Sequence, residues 1–593
     1  MAAIILMVTT VSCSSDDLPG IDDRFFPGNG DFPTGGSGSG TSFEETITST
    51  YNEMSSFDIS LDKTSAEPAG VTATYPEESD RFSNNTFGTV VNIDMSAPVA
   101  SSENGVSITV SGNDVTANHG STAGVHYIVT GTTSDGSLTI EGKTDFELEL
   151  SDAGITSTRS TALDIQSKMK AFVVLSGSNT LADGTSADDG HKGAMYAKGK
   201  LIFNGSGSLE VIGSYANGIH GKGNIVFDPG VNVYVKSTAK HGIKAGDNLH
   251  INGGILNVEV SAPGSKGVNG DVDIIINGGR TTVISTANGT WDTDDLETKA
   301  SAGIACDGNF TMDGGEIYLK STGSGGKGLK ADWEGYINGG KVRIITTGGL
   351  YYCNGSTENH NYTGDTDRID DAYTSSPKGI KIGTKNEHGV LEITGGDIMV
   401  RTAGNNAEGI ESKGTLDISG GTVLIYAHDD AINSSGDLTI SGGTVVAVGT
   451  NNDAIDSNGN MYFKGGEIIG IGAGGAESGI DIDESHSLYI SGGYIFGIGG
   501  RIDARLGSTS QGIICTTGSV TAGGTVSVLS GSSTLHTFNM PPVSYSNGTM
   551  LISIPELASG SGYTVTAGGL SFEASASSTL SSGMGGDPGG GRR

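Results

Sequence analysis

The chain has 593 residues, of which 98 are glycine, and only 17% of its residues are charged. Its net charge is −34, from 33 basic and 67 acidic side chains, which disfavours nucleic acid and anionic membrane surfaces as partners. Glycine without a three-residue period, together with only 13 prolines, excludes collagen. Short apolar runs such as TVLIY, separated by Gly-rich turns, indicate an all-β protein of many short strands.

The N-terminal stretch MAAIILMVTTVSC is apolar and ends on Cys13. It resembles the lipobox of bacterial lipoproteins, which predicts a signal peptide over 1–12 and a lipidated Cys13. The acids that follow in CSSDD resemble a surface-export signal of outer-membrane lipoproteins. We therefore expect a lipid-anchored protein of the outer membrane or cell surface. The alternative is an ordinary secretory signal cleaved nearby. The run is shorter than the ~20 apolar residues that a membrane span needs.

Composition divides the rest of the chain into four segments. Residues 13–55 are low in complexity and are predicted to be a flexible tether. Residues 56–110 carry more charge and proline, and we expect a cap or pre-helix segment there. Residues 111–575 hold the repeats, and the Gly-rich tail 576–593 is predicted to be disordered. Cys306, Cys353 and Cys515 lack metal-site or disulfide spacing, so we expect free thiols.

Each repeat begins with a Gly-Ile or Ala-Ile pair, named here the anchor, which precedes a short strand. The sequence x-Gly-Gly follows that strand, and another strand follows x-Gly-Gly. Clear copies are EGIESKGTLDISGG, DAINSSGDLTISGG and DAIDSNGNMYFKGG, and the spacing is about 22–25 residues. One copy cannot bury a core alone, whereas stacked copies can pair each strand with its counterpart ~4.8 Å away. This pattern predicts a parallel β-helix. A leucine-rich repeat lacks its LxxLxL frame here, and a propeller blade is longer.

Each Gly-Gly is predicted to form a turn that recurs from rung to rung. Such a turn needs a left-handed φ at a fixed position, which glycine adopts without steric cost. The preceding residue is often polar, as at Asn252, Asn277 and Asn338. We expect these side chains to form a structural ladder along the stack.

Two rungs carry long insertions at the same place in the repeat, between Ser285 and Gly303 and between Thr346 and Gly379. Insertions at one phase of a solenoid emerge on one face, so both should flank one groove. They carry Trp291, Tyr351 and Tyr352, which could stack on sugar rings. The alternative is that these aromatic side chains pack the loops onto the helix.

A column of lysines accompanies the insertions. Lys244, Lys330 and Lys381 lie two positions after the anchor glycine, and Lys266, Lys327 and Lys378 lie just before it. Stacked like charges are unfavourable unless they are countercharged, so the column could bind a polyanion. The alternative is pairing with nearby Asp and Glu.

Further along the chain the same positions become acidic. The predicted metal ligands in these copies are Glu408, Glu411, Asp429, Asp430, Asp453, Asp456, Asp481 and Asp483. Stacked carboxylates repel each other, and Ca²⁺ would remove that repulsion by taking six to eight oxygen ligands. The alternative is a solvated acidic edge. Asp188 and Asp189 form a weaker candidate pair.

The sequence indicates no catalytic residue. Neither GxSxG nor HExxH occurs, and the 11 histidines are scattered. A lyase would need a Lys or Arg base beside a bound uronate. The chain has lysines of that kind, so this alternative stays open.

The order of several segments carries a family resemblance. VTANHGSTAGVHYIVTGTTSDGSLTIEG, GAMYAKGKLIFNGSGSLEV and HGIKAGDNLHINGGILNVEV follow one another along the chain. They resemble the bacterial carbohydrate-binding β-helix family. This resemblance implies a right-handed parallel β-helix like that of pectate lyases, bound calcium and an acidic sugar polymer as ligand. It does not imply an enzyme.

The anchor acids of that family are only partly present. In that family the anchor typically has the sequence Asp-Asp-Gly-Ile. In this chain only the anchors at Asp429-Asp430 and Asn452-Asp453 keep acidic residues. The resemblance therefore implies calcium at those positions and leaves the earlier rungs without it. We expect a monomeric surface protein that binds acidic polysaccharide with calcium. The alternatives are a pectate-lyase-like enzyme and a surface adhesin or structural protein without a glycan ligand.

Overall fold

Parallel strands stack rung upon rung in a computed structural model that describes residues 50–580, apart from 187–190, 365, 367 and 385–388. Three parallel sheets run along the stack, so the prediction of an all-β parallel β-helix is confirmed. Cys13, Asp188, Asp189, most of the predicted tether and most of the tail lie outside the described residues. Within them, no helix is long and apolar enough to cross a membrane.

The first sheet contains the strands that begin at the anchor. Its strands are Asp114–Asn118, Leu138–Glu141, Leu163–Ile165, Gly193–Ala197, Asn217–Gly221, Ile243–Ala245, Lys266–Gly270, Ala302–Cys306, Lys327–Ala331, Lys378–Ile382, Glu408–Ser412, Ile432–Ser434, Ile455–Ser457, Ser478–Ile482 and Arg501–Asp503. The anchor side chains point inward: Ile243, Ile304 and Ile380 are buried in one register column. The apolar anchor of every rung therefore contributes to one continuous core.

The second and third sheets follow the first in each rung. The second consists of Thr89–Asp94, Val125–Thr133, Phe146–Thr156, Ala171–Ser176, Leu201–Gly205, Ile225–Phe227, Leu249–Ile251, Ile274–Ile276, Phe310–Met312, Glu334–Ile337, Val390–Ile393, Thr415–Ile418, Leu438–Ile440, Met461–Ile471, Leu488–Gly499 and Leu506–Thr509. The third consists of Ser178–Ala182, Ser208–Gly213, Asn232–Ser237, Ile255–Val260, Arg280–Ser285, Glu316–Ser321, Lys341–Thr346, Asp397–Thr402, Thr422–Ala427 and Thr444–Gly449. Met461–Ile471 and Leu488–Gly499 are long enough to serve both sheets.

The Gly-Gly turns join the second sheet to the third. The second glycine has positive φ, for example 84° at Gly254 and 81° at Gly421, as the turn requires. The polar residue before the turn forms the expected ladder: Asn277 Nδ2 donates to Asn252 Oδ1 over 2.9 Å. Backbone conformation and side-chain hydrogen bonds therefore repeat together along this corner.

The segment before the helix, named here the strap (residues 58–82), lies along that corner. Asn252 exchanges hydrogen bonds with the backbone of Thr74, and Asn257 does the same with Asp62. The carboxylate of Asp80 is buried between the ammonium groups of Lys170 and Lys200, at 2.7 and 2.8 Å. The strap contains the short 3-10 helix Glu78–Asp80, and a second one, Phe82–Asn84, begins at its last residue.

The two ends of the stack pair differently from its middle. At the start, Ser101–Glu103 pairs antiparallel with Val106–Ser111, which pairs antiparallel with Asp114–Asn118 of the first sheet. At the end, Ile513–Val520 and Tyr545–Ser553 pair antiparallel, and a four-stranded antiparallel sheet follows, made of Thr525–Ser530, Ser533–Asn539, Gly562–Ala567 and Leu570–Ser575. Residues 513–575, which the sequence assigns to the parallel repeat, therefore close the stack instead of extending it.

Candidate functional site

The predicted lysines lie on the outer face of the first sheet, in two series of residues that pair from strand to strand. Lys327 pairs with Lys378 and then Glu408, and Lys330 pairs with Lys381 and then Glu411. The change from lysine to glutamate thus occurs between two neighbouring rungs. Because paired residues on parallel strands are ~4.8 Å apart, each lysine lies within reach of the next charged side chain.

A groove of about 890 Å³ lies over this column. Its floor is formed by Lys327, Lys330, Lys378, Lys381, Glu408 and Glu411, and Asn433 continues it on the next rung. One wall comes from both insertions, through residues 297–300 and 370–376 apart from Tyr373. The opposite edge follows the strand ends, with Asp332, Thr384, Lys413 and Ser435. The lysine column and both insertions therefore share one groove.

Local structure fixes the wall. In the first insertion, Thr290–Asp292 and Glu297–Lys299 form an antiparallel hairpin. In the second insertion, Tyr351–Cys353 pairs with Glu358–Asn359 and Thr374–Ser375, and the 3-10 turn Asp371–Tyr373 precedes the last of these. Thr298 Oγ1 donates to the Thr374 carbonyl over 2.7 Å, which joins the two insertions.

Two of the four floor lysines, Lys330 and Lys378, are closely paired with carboxylates, as is Lys413 at the edge. Lys378 is buried and contacts both Glu408 and Glu411, and Lys413 Nζ lies 2.6 Å from Glu411. These lysines hold the pKa of Glu411 far below its usual range although burial opposes the shift, and burial is the main cause that raises the pKa of Glu408 to about 7. Lys330 forms an ion pair with Asp332. Pairing with acids thus accounts for these lysines.

Lys381 and Lys327 have weaker countercharges. The nearest Glu411 oxygen is 3.7 Å from Lys381 Nζ, and burial together with Lys378 and Lys413 lowers the pKa of Lys381. Lys327 donates to Ser375 Oγ over 3.0 Å and to the carbonyls of Gly325 and Ser376, so it ties the second insertion to the floor. Burial is the main cause that lowers the pKa of Lys327 well below its usual range. Lys381 is therefore the cation best placed to meet a ligand.

Two other lysines of the predicted column do not line the groove. Lys244 lies three rungs before Lys330 and forms an ion pair with Asp271 at 2.8 Å. Lys266 donates to the Gly264 carbonyl, and burial lowers its pKa to about 8. Both lysines share a register position with a groove lysine, but Asn269, Ala302 and Ala305 interrupt the series, and the groove covers only the part next to the insertions.

The three predicted sugar-stacking side chains do not line the groove either. Tyr351, expected to contact the ligand, is only 1% exposed, and its hydroxyl donates to Glu358 over 2.8 Å. Trp291 packs on Tyr373, and Tyr352 stacks on Tyr362 with ring centres 4.8 Å apart. These aromatic rings pack the insertions internally, which is the alternative that the sequence left open.

An exposed aromatic side chain that the sequence pattern did not single out is the neighbour in the chain of a groove residue. Trp333 is 55% exposed and directly follows Asp332, the partner of Lys330. Its backbone N–H donates to the Gly308 carbonyl, which keeps the turn in the stack while the indole remains free to solvent. The signal for it was available, because Trp333 is one of two tryptophans and lies in a turn beside the lysine column.

The predicted metal ligands divide into three groups. Glu408 and Glu411 belong to the groove and are neutralised by lysines. Asp483 is exposed and accepts hydrogen bonds from the Ser485 backbone and hydroxyl, which lower its pKa. The third group is named here the acidic ledge and consists of Asp429, Asp430, Asp453, Asp456 and Asp481. It follows the groove along the stack, since Asn433 pairs with Asp456, which pairs with Asp481.

Burial disfavours the ionised form of the carboxyl groups in the acidic ledge. The pKa is raised to about 10 at Asp430, about 7 at Asp453 and about 8 at Asp481, first by burial and then by neighbouring carboxylates, with the Ser478 hydrogen bond opposing the shift at Asp453. Burial also raises the pKa of Asp456 to about 6. Asp430 accepts from the Asp453 backbone over 3.1 Å. Within the described residues, no three of the ledge carboxylates place ligand atoms within 4.8 Å of one another.

Comparison with known proteins identifies the family. A family described as carbohydrate-binding domain-containing protein matches residues 111–264 and 232–447, which together are more than half of the chain. A solved polysaccharide lyase-like protein from C. thermocellum, in a gadolinium derivative, is similar at 17% identity over 56% of this chain and 96% of its own, with a TM-score of 0.29. No curated protein matches. The chain therefore belongs to the carbohydrate-binding domain-containing protein family.

Proposed function

We propose that this protein binds an acidic polysaccharide in the groove over Lys330 and Lys381. The observation that carries this proposal is that the lysine column and both insertions line the same 890 Å³ groove. Family membership supports a carbohydrate as the ligand. An open, polar groove of this size suits several sugar units of a polymer better than a small apolar compound.

Charge favours an acidic polymer over a neutral one. Six lysines and six carboxylates line the groove, whereas the whole chain carries 67 acidic and 33 basic side chains. The groove is thus locally balanced on a strongly anionic protein. A uronate carboxylate beside Lys381 would supply the close countercharge that Glu411 provides only at 3.7 Å.

Calcium is the second part of the proposal. The acidic ledge begins on the last rung of the groove, since Asp430 accepts a hydrogen bond from Asn433, which lines the groove and pairs with Asp456 on the next rung. Ca²⁺ takes oxygen ligands in flexible geometry and would offset the repulsion among Asp430, Asp453 and Asp481. A polymer lying along the stack would then meet lysines first and a bound cation next.

Titration of the full chain with matched oligosaccharides tests the proposal. Oligogalacturonate and a neutral oligosaccharide of equal length are compared by calorimetry, with Ca²⁺ and with a chelator. We expect the uronate to bind more tightly and Ca²⁺ to increase its affinity. Equal affinity for the neutral sugar would overturn the acidic preference. No binding to either sugar in either condition would favour the adhesin or structural alternative.

A polysaccharide lyase is the second candidate, and one observation favours it. Lys381 lines the groove with a lowered pKa, which is the property a lysine base needs to remove a proton beside a uronate. Incubation of polygalacturonate with the protein and Ca²⁺ tests this by the absorbance of the unsaturated product. Absorbance that grows with wild type but not with Lys381→Ala would establish the lyase.

The location at the cell surface is a further part of the proposal. It rests on the lipobox-like stretch that ends at Cys13. Expression of the chain with labelled fatty acid tests it: we expect label on wild type and none on Cys13→Ser. Protease treatment of intact cells then reports whether the chain faces outward, and a protected chain would overturn surface exposure.

A further inference from the structure

Three potential ligand atoms converge on the outer face of the second sheet, far from the groove. His126 Nε2 lies 3.3 Å from a Glu147 oxygen and 3.1 Å from a Glu149 oxygen. Within the described residues, this is the only group of His, Cys, Asp and Glu side chains in which three ligand atoms all lie within 4.8 Å of one another. The groove, in contrast, lies on the first sheet.

The sheet holds these side chains in place. His126 and Glu147 are direct partners on the parallel strands Val125–Thr133 and Phe146–Thr156, and Glu149 follows two residues later on the same face. The residues between them, such as Tyr127 and Leu148, are fully buried in the core. Because alternate residues point inward, the three side chains are fixed toward one point outside the sheet.

We propose that His126, Glu147 and Glu149 bind a divalent transition-metal ion such as Zn²⁺. One imidazole nitrogen and two carboxylate oxygens are donors that Zn²⁺ accepts, at bond lengths of about 2.0–2.2 Å. Tetrahedral ligands at that length stand about 3.3 Å apart, close to the separations present here. Two carboxylates and a neutral imidazole carry the charge that balances a divalent cation.

Partial exposure leaves room for a further ligand. The side chains of His126, Glu147 and Glu149 are 16%, 14% and 24% exposed, so the site is shielded but open to solvent on one side. Three protein ligands leave at least one coordination position for water or for an exogenous donor. The ion would also join the second and third strands of the second sheet at a point without covalent connection.

Zn²⁺ titration of the full chain by calorimetry, after removal of metals with chelator, tests the proposal. We expect one Zn²⁺ site that His126→Ala and Glu149→Gln each weaken by about tenfold or more. Glu149→Gln keeps an oxygen that can accept a hydrogen bond from His126. It therefore separates the loss of a charged metal ligand from the loss of the contact with His126. Co²⁺ gives a second readout, because a low-coordinate site with nitrogen and oxygen donors absorbs in the visible region.

His536→Ala is the matched control. His536 contacts a single carboxylate, Glu467, at the same 3.1 Å, so it forms an ion pair of equal length without a third ligand. We expect this variant to bind Zn²⁺ as wild type does. Absence of a Zn²⁺ site in wild type, or equal Zn²⁺ affinity in wild type and both site variants, would overturn the proposal and leave an ordinary ion pair.

Discussion

Lys381 Nζ lies 3.7 Å from the nearest Glu411 oxygen, although the two residues are direct partners on neighbouring strands. Lys413 and Lys378 reach the same carboxylate at 2.6 and 3.2 Å. Glu411 is therefore shared among three lysines, and Lys381 receives the smallest part of its charge. A groove cation that is only partly neutralised keeps the capacity to bind an anion.

Replacement of Lys381 is expected to weaken the binding of acidic polysaccharide. A charge-assisted hydrogen bond contributes ~1.5–3 kcal/mol, so Lys381→Ala should lower oligogalacturonate affinity by roughly tenfold to a hundredfold. Lys236→Ala, which removes an exposed lysine of the third sheet, is the control and should leave affinity unchanged. Calorimetric titration measures both, and similar affinities for the two variants would remove Lys381 from the ligand site.

Glu411 should be essential for stability. Glu411→Gln leaves Lys378 buried with one carboxylate fewer, and breaking a buried ion pair from one side costs ~3–5 kcal/mol. Thermal unfolding should show a marked fall in melting temperature. Glu103→Gln, at an exposed strand near the start of the stack, should leave it unchanged. Equal melting temperatures for wild type and Glu411→Gln would show that the lysines are not held by this carboxylate.

The acidic ledge predicts an unusual dependence of stability on pH. Asp430, Asp453 and Asp481 have folded-state pKa values raised to about 10, 7 and 8, above the unfolded value of about 3.9. The folded state therefore binds more protons than the unfolded state between these values, so the stability that these three groups contribute is complete below about pH 4 and is lost as pH rises from there through 7, 8 and 10. Melting temperatures of calcium-free protein at pH 5 and pH 8 measure this fall.

Calcium should oppose that fall. If Ca²⁺ binds the ledge, it should raise the melting temperature more at pH 8 than at pH 5, because it competes with protons for the carboxylates. Asp430→Asn combined with Asp453→Asn should abolish the calcium-dependent shift and reduce the pH effect, to which Asp481 still contributes. A calcium shift that survives in this double variant would place the ion elsewhere.

The two tryptophans should respond differently to replacement. Trp333 is exposed and directly follows the groove residue Asp332, so Trp333→Ala should weaken polysaccharide binding by about tenfold without changing the melting temperature, as for other stacking contacts. Trp291 packs on Tyr373 within the wall, so Trp291→Ala should lower the melting temperature. In Trp291→Phe, Trp333 is the single source of tryptophan fluorescence, and ligand should change its emission. Unchanged emission at saturating ligand would exclude contact.

Two glycines separate backbone strain from collision with the neighbouring rung. Gly421 and Gly475 have φ of 81° and 83°, but a Cβ at Gly421 would lie 2.8 Å from the Gly395 backbone, whereas one at Gly475 would meet nothing within 4 Å. Gly475→Ala should cost only the ~1–2 kcal/mol of the left-handed conformation. Gly421→Ala should cost more, because the next rung must shift. Denaturant unfolding compares them, and equal losses would refute the steric argument.

Periodicity made much of the fold predictable from the sequence. The Gly-Ile anchors and Gly-Gly turns recur once per rung, so the buried column containing Ile304 and the left-handed Gly421 follow from local pattern alone. The antiparallel strand Ile513–Val520 was not predictable in the same way, because GIIC repeats the anchor pattern of GIAC. Identical local patterns do not specify which partner strand is available at the end of a stack.

The groove was predictable in outline but not in its contacts. The common phase of the insertions placed the wall and Lys381 together. Whether a lysine is free depends on distances between side chains of different rungs, as for Lys378 and Glu411, and sequence spacing does not give those distances. The burial of Tyr351 likewise depends on how the insertion folds upon itself.

The strap gives the stack a constraint on the order of folding. Most contacts in a solenoid are local, so rungs can form as the chain is synthesised. The strap contacts are the opposite: Asp62 bonds to Asn257 across 195 residues, and Asp58 bonds to Lys320 across 262. This early segment must therefore wait, unpaired, until the rungs it covers have emerged. Its docking closes loops of 195 and 262 residues, which makes it a late event and a candidate for the slowest one.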